Sequence, residues 1–315
     1  MKEESKIPPE CRSDPGYRPA IAVILLLFGC VTATLLAAPL LYNALILLAR
    51  QSSSMTALRD LEFMKVVSRM VVGMVALGFL PALWFGGVRT SGHLGLACLP
   101  GWKGEFARGL GSGMLLILIP VGVLVVTGVY AIRPGSIAGI PAQIPAAFFA
   151  GIFVAFFEET LFRGVLFGSL RKPLGVVGAA LLSSTLFSLV HFVNPVPRPG
   201  IAHAHIYSGF GLLPGVFSWD HAPGLYVPAV FTLFFIGLAL CFFYIRFRSL
   251  WFGVGLHMGW VWCLLSMPDL VQKMSRVPGN ATVDFTKGPV ACLVALALLV
   301  VAGLIARRSS PEFPG

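Results

Sequence analysis

Apolar stretches of about 20 residues recur along almost the whole chain, and this pattern limits the possible folds more than any other feature. A helix that crosses the hydrocarbon core of a bilayer needs about 20 mostly apolar residues. By this measure the sequence predicts eight membrane spans. They are Ala20 to Leu41, Met70 to Val88, Leu110 to Ile132, Ala146 to Leu170, Leu174 to Val193, Val227 to Ile245, Leu250 to Met267 and Gly288 to Ala306.

These spans predict an all-α fold, a polytopic transmembrane helix bundle. Only helices and closed barrels satisfy every backbone group in lipid, and the runs are too continuously apolar for the alternating strands of a barrel. We expect one helical membrane domain over residues 20–306, preceded by a polar leader at 1–19 and followed by a short tail at 307–315. The first span is too long for a signal-peptide core, and we expect it to kink or end early near Pro39.

The charge pattern favours lipid as the partner of the basic residues rather than nucleic acid. Only 11% of the residues are charged and the net charge is +10, with Lys and Arg placed singly or in pairs at the edges of apolar runs. This placement is typical of contacts with anionic lipid and of cytoplasmic loops, and it predicts both chain ends in the cytoplasm. The six cysteines include no CxxC pair and are interpreted as apolar thiols.

The fourth predicted span carries ionisable residues where most spans have none. Glu158 and Glu159 are adjacent, and Arg163 follows Glu159 by four residues. Four residues place Glu159 and Arg163 on one helix face, so they can pair, while Glu158 points about 100° away. Charged groups at this depth are costly and generally face a cavity rather than lipid, so the pair of acids indicates a functional site. A buried Glu–Arg pair that only locks helix packing is the alternative.

Two other predicted spans each contribute one histidine. His191 lies near the end of the fifth span and His257 lies in the seventh. A lone buried histidine is more often a packing residue, but a carboxylate pair on a third helix favours a shared site around one water molecule. Gly255 and Gly259 flank His257 at the spacing that lets another helix approach closely.

These residues together resemble a known family. The string EETLFR from Glu158 to Arg163, then Phe187 and His191 in FSLVH, and then His257 are similar to the motifs of CPBP or Abi intramembrane proteases. That family is related to the type II CAAX prenyl endopeptidase. The similarity covers a core from about residue 146 to residue 267, and the first three spans add nothing to it.

The resemblance implies an eight-helix bundle with a water-filled cavity and a role for each motif residue. Glu158 and His191 would orient and deprotonate the attacking water, Glu159 and Arg163 would support them, and His257 would help to stabilise the oxyanion. The family often has asparagine four residues after this histidine, where this chain has Val261. Val261 cannot donate a hydrogen bond, so Trp260 could supply that contact instead. Phe187 is the remaining motif residue, expected to support the substrate or the oxyanion.

Metal dependence stays open at this point. Glu158, His191 and His257 could hold zinc with one open position, but no HExxH motif occurs and the resemblance favours water activation without a permanent ion. Four residues of the long connection from Asn194 to Tyr226 form a second possible metal group, for which an interfacial loop with solvated imidazoles is the favoured interpretation. They are His203, His205, Asp220 and His221.

The leading hypothesis is therefore an intramembrane endopeptidase acting on a membrane-associated or lipidated protein or peptide. One alternative is a transporter or channel that uses the buried acids, although no inverted repeat is visible. Another is a catalytically inactive scaffold or immunity protein on the same fold, which the Val261 departure supports. The short loops suggest a bacterial cytoplasmic membrane as the location.

Overall fold

A computed structural model describes residues 16–51, 61–98, 100–134, 143–192, 204–215, 223–274 and 289–307. Helices dominate this part of the chain. They are α1 (Arg18–Gln51), α2 (Phe63–Phe85), α3 (Trp102–Val126), α4 (Gln143–Glu159), α5 (Gly168–Val190), α6 (Pro223–Phe247), α7 (Trp251–Leu270) and α8 (Pro289–Arg307). A π-helical segment, Thr160–Phe167, joins α4 to α5, and 3₁₀ turns occupy Ser91–Leu94 and Phe210–Gly215. Two strands, β1 (Tyr130–Ile132) and β2 (Val271–Lys273), form an antiparallel ribbon.

Several helices have the length and apolar character of membrane spans. Among the described residues five stretches qualify, and they are Arg18–Gln51, Phe63–Phe85, Trp102–Val126, Gln143–Val190 and Val227–Phe247. The chain is therefore an integral membrane protein with a helical fold. The predicted count of eight spans is not confirmed, in part because Gln143–Val190 joins the fourth and fifth predicted spans into one helical run.

Three local predictions differ from the structure. The first helix does not end near Pro39 but continues to Gln51, since a membrane helix tolerates the loss of one backbone bond at proline. The third span ends at Val126 rather than Ile132, because Gly128 adopts a positive φ of 74° and turns the chain into β1. The all-α prediction therefore omits one short β-ribbon.

The described residues fall into two compact units. One unit contains those within Thr90–Leu189 and His221–Gly315, and the other contains those within Pro15–Arg89 and Val190–Asp220. The second unit has its own apolar cluster, in which Tyr42 and Phe63 meet edge to face. The chemistry-bearing acids and His257 all lie in the first unit.

Glycines bring α3 and α7 into close contact in the first unit. A Cβ added at Gly255 would overlap the carbonyl oxygen of Phe106, and one added at Gly259 would overlap that of Leu110. Gly113 on α3 has the reciprocal relation to α7. The close helix approach predicted from the Gly255 and Gly259 spacing is thus present, with α3 as the partner. It fixes the height of α7, and therefore of His257, in the bundle.

We expect Gly113→Ala to lower the stability of this helix pair, whereas Gly111→Ala should not. The new methyl group at Gly113 would overlap the carbonyl oxygen of Leu256, while Gly111 has nothing within 4 Å. Overpacking of this kind costs about 1–3 kcal/mol. Thermal unfolding in detergent micelles measures the difference, and equal midpoints for the two variants would show that the glycine contact does not hold the helices together.

Candidate active site

The site begins where α4 changes into the π-helical segment. α4 ends at Glu159, and all eight residues of Thr160–Phe167 are buried. π-Helical turns are rare and frequently occur at functional sites. The Thr160 hydroxyl donates to the Phe156 carbonyl oxygen at 2.7 Å, which satisfies a backbone acceptor beside the change in helix type. Arg163 thus lies on a locally widened helix, and Glu158 and Glu159 lie in the last turn of α4 directly before it.

Glu159 and Arg163 form the buried ion pair that their spacing predicts. Arg163 Nη1 lies 2.9 Å from Glu159 Oε1, and the two side chains are 1% and 0% exposed. The guanidinium also donates from Nη2 to the Gly237 carbonyl oxygen on α6 at 3.5 Å. Buried charges require such partners because an isolated ion in this environment is very unfavourable. The pair therefore fixes the position of the Glu159 carboxylate.

His257 connects the ion pair to the second acid. Its Nδ1 lies 3.0 Å from Glu159 Oε1, and its Nε2 lies 3.8 Å from Glu158 Oε2. Glu159 Oε1 accepts from the Arg163 guanidinium, and a carboxylate in such an ion pair can only accept hydrogen bonds. His257 Nδ1 consequently donates to Glu159, and Nε2 is the nitrogen that faces Glu158.

Glu158 and Glu159 differ in how much of each side chain is exposed. The side chain of Glu158 is 20% exposed, against 0% for Glu159. Glu158 lies seven residues after Gly151, two helical turns away, so both face the same direction. A Cβ added at Gly151 would lie 3.3 Å from the Met258 carbonyl oxygen, which shows that this direction is toward α7. The Glu158 side chain is therefore partly exposed, while its Oε2, the oxygen that faces His257, is buried.

Phe187 packs against both the Arg163 guanidinium and the His257 ring. Its ring centroid lies 4.3 Å from Arg163 Cζ and 6.0 Å from the ring of His257, and the residue is 1% exposed. A cation over an aromatic face is attracted by the ring quadrupole, more strongly when both are desolvated. In this structure Phe187 positions Arg163 and His257, and a direct substrate contact of Phe187 stays a prediction.

The remaining predicted site residues are His191, Trp260 and Val261. His191 lies in a turn directly after α5, is exposed and belongs to the second unit. Its predicted place beside Glu158 stays a prediction. Trp260 packs against apolar clusters formed by α3, α6 and α8, and Val261 is half-buried. Their suggested part in oxyanion binding also stays a prediction.

The metal predictions gain no structural support. Among the described residues no group of three or more His, Cys, Asp or Glu side chains has the arrangement to hold a metal ion. Glu159 already binds Arg163 and His257 through one oxygen. In the second predicted metal group His205 is exposed, whereas His203, Asp220 and His221 lie outside the described residues.

Two contributors to the cluster carry no sequence signal of their own. The Gly237 carbonyl oxygen holds Arg163, and backbone acceptors cannot be recognised from residue type. Gly253 lies against the second oxygen of Glu159, where an added Cβ would be 3.2 Å from Oε2. The absence of a side chain at Gly253 lets α7 approach the buried carboxylate, and a glycine-rich helix could at most have suggested a close approach.

Comparison with known proteins agrees with the motif resemblance. A family model described as type II CAAX prenyl endopeptidase Rce1-like matches residues 140–263. Residues 140–263 are thus similar to this family. The segment contains every residue of the charged cluster, from Glu158 to His257, and confirms the resemblance to CAAX-type proteases. At the family level it supports a hydrolase of membrane-associated proteins or peptides. Neither the curated proteins nor the solved structures contain a match to the chain.

Proposed function

We propose that the protein is an intramembrane endopeptidase of the CAAX type, in which Glu158 activates water beside His257. One observation carries this proposal. Glu159 Oε1 accepts from both Arg163 and His257, and this arrangement directs His257 Nε2 toward the partly exposed Glu158. A buried carboxylate behind one imidazole nitrogen fixes both the tautomer and the ring orientation, as an aspartate does in serine proteases.

In the proposed reaction water is the nucleophile and no covalent enzyme intermediate forms. Glu158 takes one proton from the water molecule. At the same time the water oxygen bonds to the carbonyl carbon of the substrate. The carbonyl oxygen becomes an oxyanion in the tetrahedral intermediate. The C–N bond then breaks, and the proton held by Glu158 passes to the departing amine nitrogen. The products are a new carboxylic acid and a new amine, which ionise to a carboxylate and an ammonium group.

His257 and His191 are proposed to assist at different stages. His257 Nδ1 donates to Glu159, so its Nε2 donates to an oxyanion only when the ring is an imidazolium. Preorganised donors of this type stabilise the transition state by about 3 kcal/mol each. For His191 the proposal rests on sequence resemblance alone, and its role is to orient the attacking water with Glu158.

The same proposal includes eight crossings of a bacterial cytoplasmic membrane. The run Gln143–Val190 contains 48 residues, about twice what one crossing needs. The chain leaves helical geometry at Gly175, with φ of 68° and ψ of 170°, close to the predicted boundary between the fourth and fifth spans. If this run crosses the membrane twice, the five candidate stretches make six crossings, and α7 and α8 bring the number to the eight predicted.

The proposal is tested by cleavage in membranes. We expect membranes with the wild-type protein to yield protein fragments that are missing with His257→Ala, because loss of a preorganised donor slows acyl transfer about 10²- to 10³-fold. A farnesylated CAAX peptide in proteoliposomes then tests the substrate class by release of its C-terminal tripeptide, with the unprenylated peptide for comparison.

His205→Ala is the matched control for this experiment. It removes an exposed imidazole in the second unit and should cleave like the wild type. Identical fragments from wild-type and His257→Ala membranes would contradict the proposed mechanism. Proton or cation flux through the wild-type protein that is lost in Glu159→Gln would instead favour the transporter hypothesis.

A further inference from the structure

One end of the first unit collects basic side chains from separate parts of the chain. We call it the basic end and define it by Lys103, Arg108, Arg171, Lys172, Arg246 and Arg248. All of these side chains are exposed except that of Arg171, which is half-buried. They come from the first turns of α3, the first turn of α5, the last turn of α6 and the connection from α6 to α7.

Helix packing places these segments at one level of the unit. α3 and α7 run parallel, since Gly109 lies against Phe252 and Gly113 lies against Leu256 one turn further on. The rings of Trp102 and Trp251, the first residue of each helix, are 4.6 Å apart. The starts of α3 and α7 therefore mark the same end.

The α5 and α6 segments join that end through ring contacts. The rings of Phe247 on α6 and Phe252 on α7 are 4.7 Å apart. Arg171 Cζ lies 5.8 Å from the ring of Tyr244 and 5.6 Å from that of Phe167. The cations on α5 and α6 thus surround the same helix termini as those on α3.

Aromatic rings lie directly beneath several of these cations. Lys103 Nζ is 5.9 Å from the Trp102 ring, and Arg246 Cζ is 5.6 Å from the Phe247 ring. Cations that alternate with Trp and Tyr at the ends of apolar helices are typical of the headgroup layer, where long side chains keep their charge in water above a buried stem. The arrangement surrounds a helix end and does not converge on one point, so it fits a charged surface better than a single peptide.

The backbone at Arg248 gives an independent observation. Arg248 has a φ of 51°, and its N–H donates to the Tyr244 carbonyl oxygen at 2.9 Å, which ends α6. Glycine is the usual residue at this helix-ending position because it adopts positive φ without strain. An arginine kept in this strained conformation indicates a use for its charge. At the other end of the unit the described side chains include Arg133 and Asp269, whereas the basic end has its six cations beside the one acid of the first turn of α3, Glu105.

We propose that the basic end binds the phosphate groups of anionic phospholipids in the leaflet that it faces. His257 is the seventh residue of α7, so at 1.5 Å per residue it lies about 9 Å along the helix from Trp251. Lipid binding at the basic end would therefore hold the charged cluster just below the headgroups. This consequence rests on the proposed function, because only an endopeptidase needs a scissile bond at that depth. The binding itself does not depend on it.

The test measures lipid affinity directly. Detergent-solubilised wild-type protein is titrated with dioleoylphosphatidylglycerol and, separately, with dioleoylphosphatidylcholine, and bound lipid is counted by native mass spectrometry. The double variant Arg246→Gln/Arg248→Gly removes two charges and relieves the strained φ, so its fold is expected to be retained. We expect affinity for the anionic lipid to fall about fivefold for each charge removed, with no change for the zwitterionic lipid.

Arg133→Gln at the opposite end is the matched control and should leave the affinity for the anionic lipid unchanged. An unchanged affinity in the double variant, or an equal loss in Arg133→Gln, would overturn the proposal. Displacement of the lipid by inorganic phosphate would show a soluble phosphate site instead. If the double variant lost affinity for an acidic peptide but kept its affinity for the lipid, the basic end would be a substrate-binding surface instead. Because cleavage is not measured, failure here leaves the proposed function untouched.

Discussion

Glu158→Gln is expected to reduce the turnover of a cleaved substrate by about 10³-fold or more while the protein still inserts and folds. Glutamine keeps the size of the side chain but cannot take a proton from water, and loss of a general base costs 10²- to 10⁴-fold. The side chain is 20% exposed and lies 3.8 Å from His257 Nε2, so the substitution removes the chemical group without opening the core. The expected change is in kcat, with KM nearly constant.

Two further variants make this result specific. Glu158→Asp keeps the carboxylate but shortens its reach by one methylene, and we expect an intermediate loss of about 10²-fold from misplacement alone. Glu62→Gln removes an exposed carboxylate that pairs with the exposed Lys65, and this substitution should have no effect. Cleavage by Glu158→Gln at the wild-type rate would exclude Glu158 as the base, whatever happens with the other two.

Local spacing was sufficient to predict the part of the site that lies within one helix. The four-residue separation of Glu159 and Arg163 predicts their pairing because residues at this distance share a helix face. The same reasoning predicted that Glu158 and Glu159 point in different directions, and in the structure the two side chains are exposed to different degrees. The spacing of Gly255 and Gly259 also predicted close helix packing, although it could not identify α3 as the partner.

Tertiary packing decided what the sequence could not. The contact of His257 with both acids depends on how α7 lies against α4, where Gly151 and Gly253 permit close approach. No residue pattern announces a π-helical segment, so the widened turn at Thr160–Phe167 was not predicted. The ribbon of β1 and β2 was not predicted because its two strands are far apart in the sequence. The end of α3 at Val126 was not predicted because the sequence stays apolar as far as Ile132.

Arg163→Met is expected to destabilise the protein by about 3–5 kcal/mol. Glu159 is completely buried, and without the guanidinium its charge keeps, among the described residues, the hydrogen bond from His257 Nδ1. Removing one partner of a buried ion pair is strongly unfavourable because the other charge is left uncompensated. The midpoint of thermal unfolding in detergent micelles measures the effect. Lys65→Met is the matched control, because it breaks an ion pair with Glu62 whose side chains are 52% and 58% exposed, and such pairs contribute little.

A double variant separates the structural role of the Glu159–Arg163 pair from its role at the site. Glu159→Gln/Arg163→Met removes both charges, so most of the stability lost in Arg163→Met should return, since replacing a whole buried pair is often nearly neutral. Cleavage should not return, because glutamine does not hold His257 as a carboxylate does and Nε2 loses its fixed direction toward Glu158. A stable double variant with wild-type cleavage would reduce the pair to a packing element. A stable and inactive one would show that the buried carboxylate orients the imidazole.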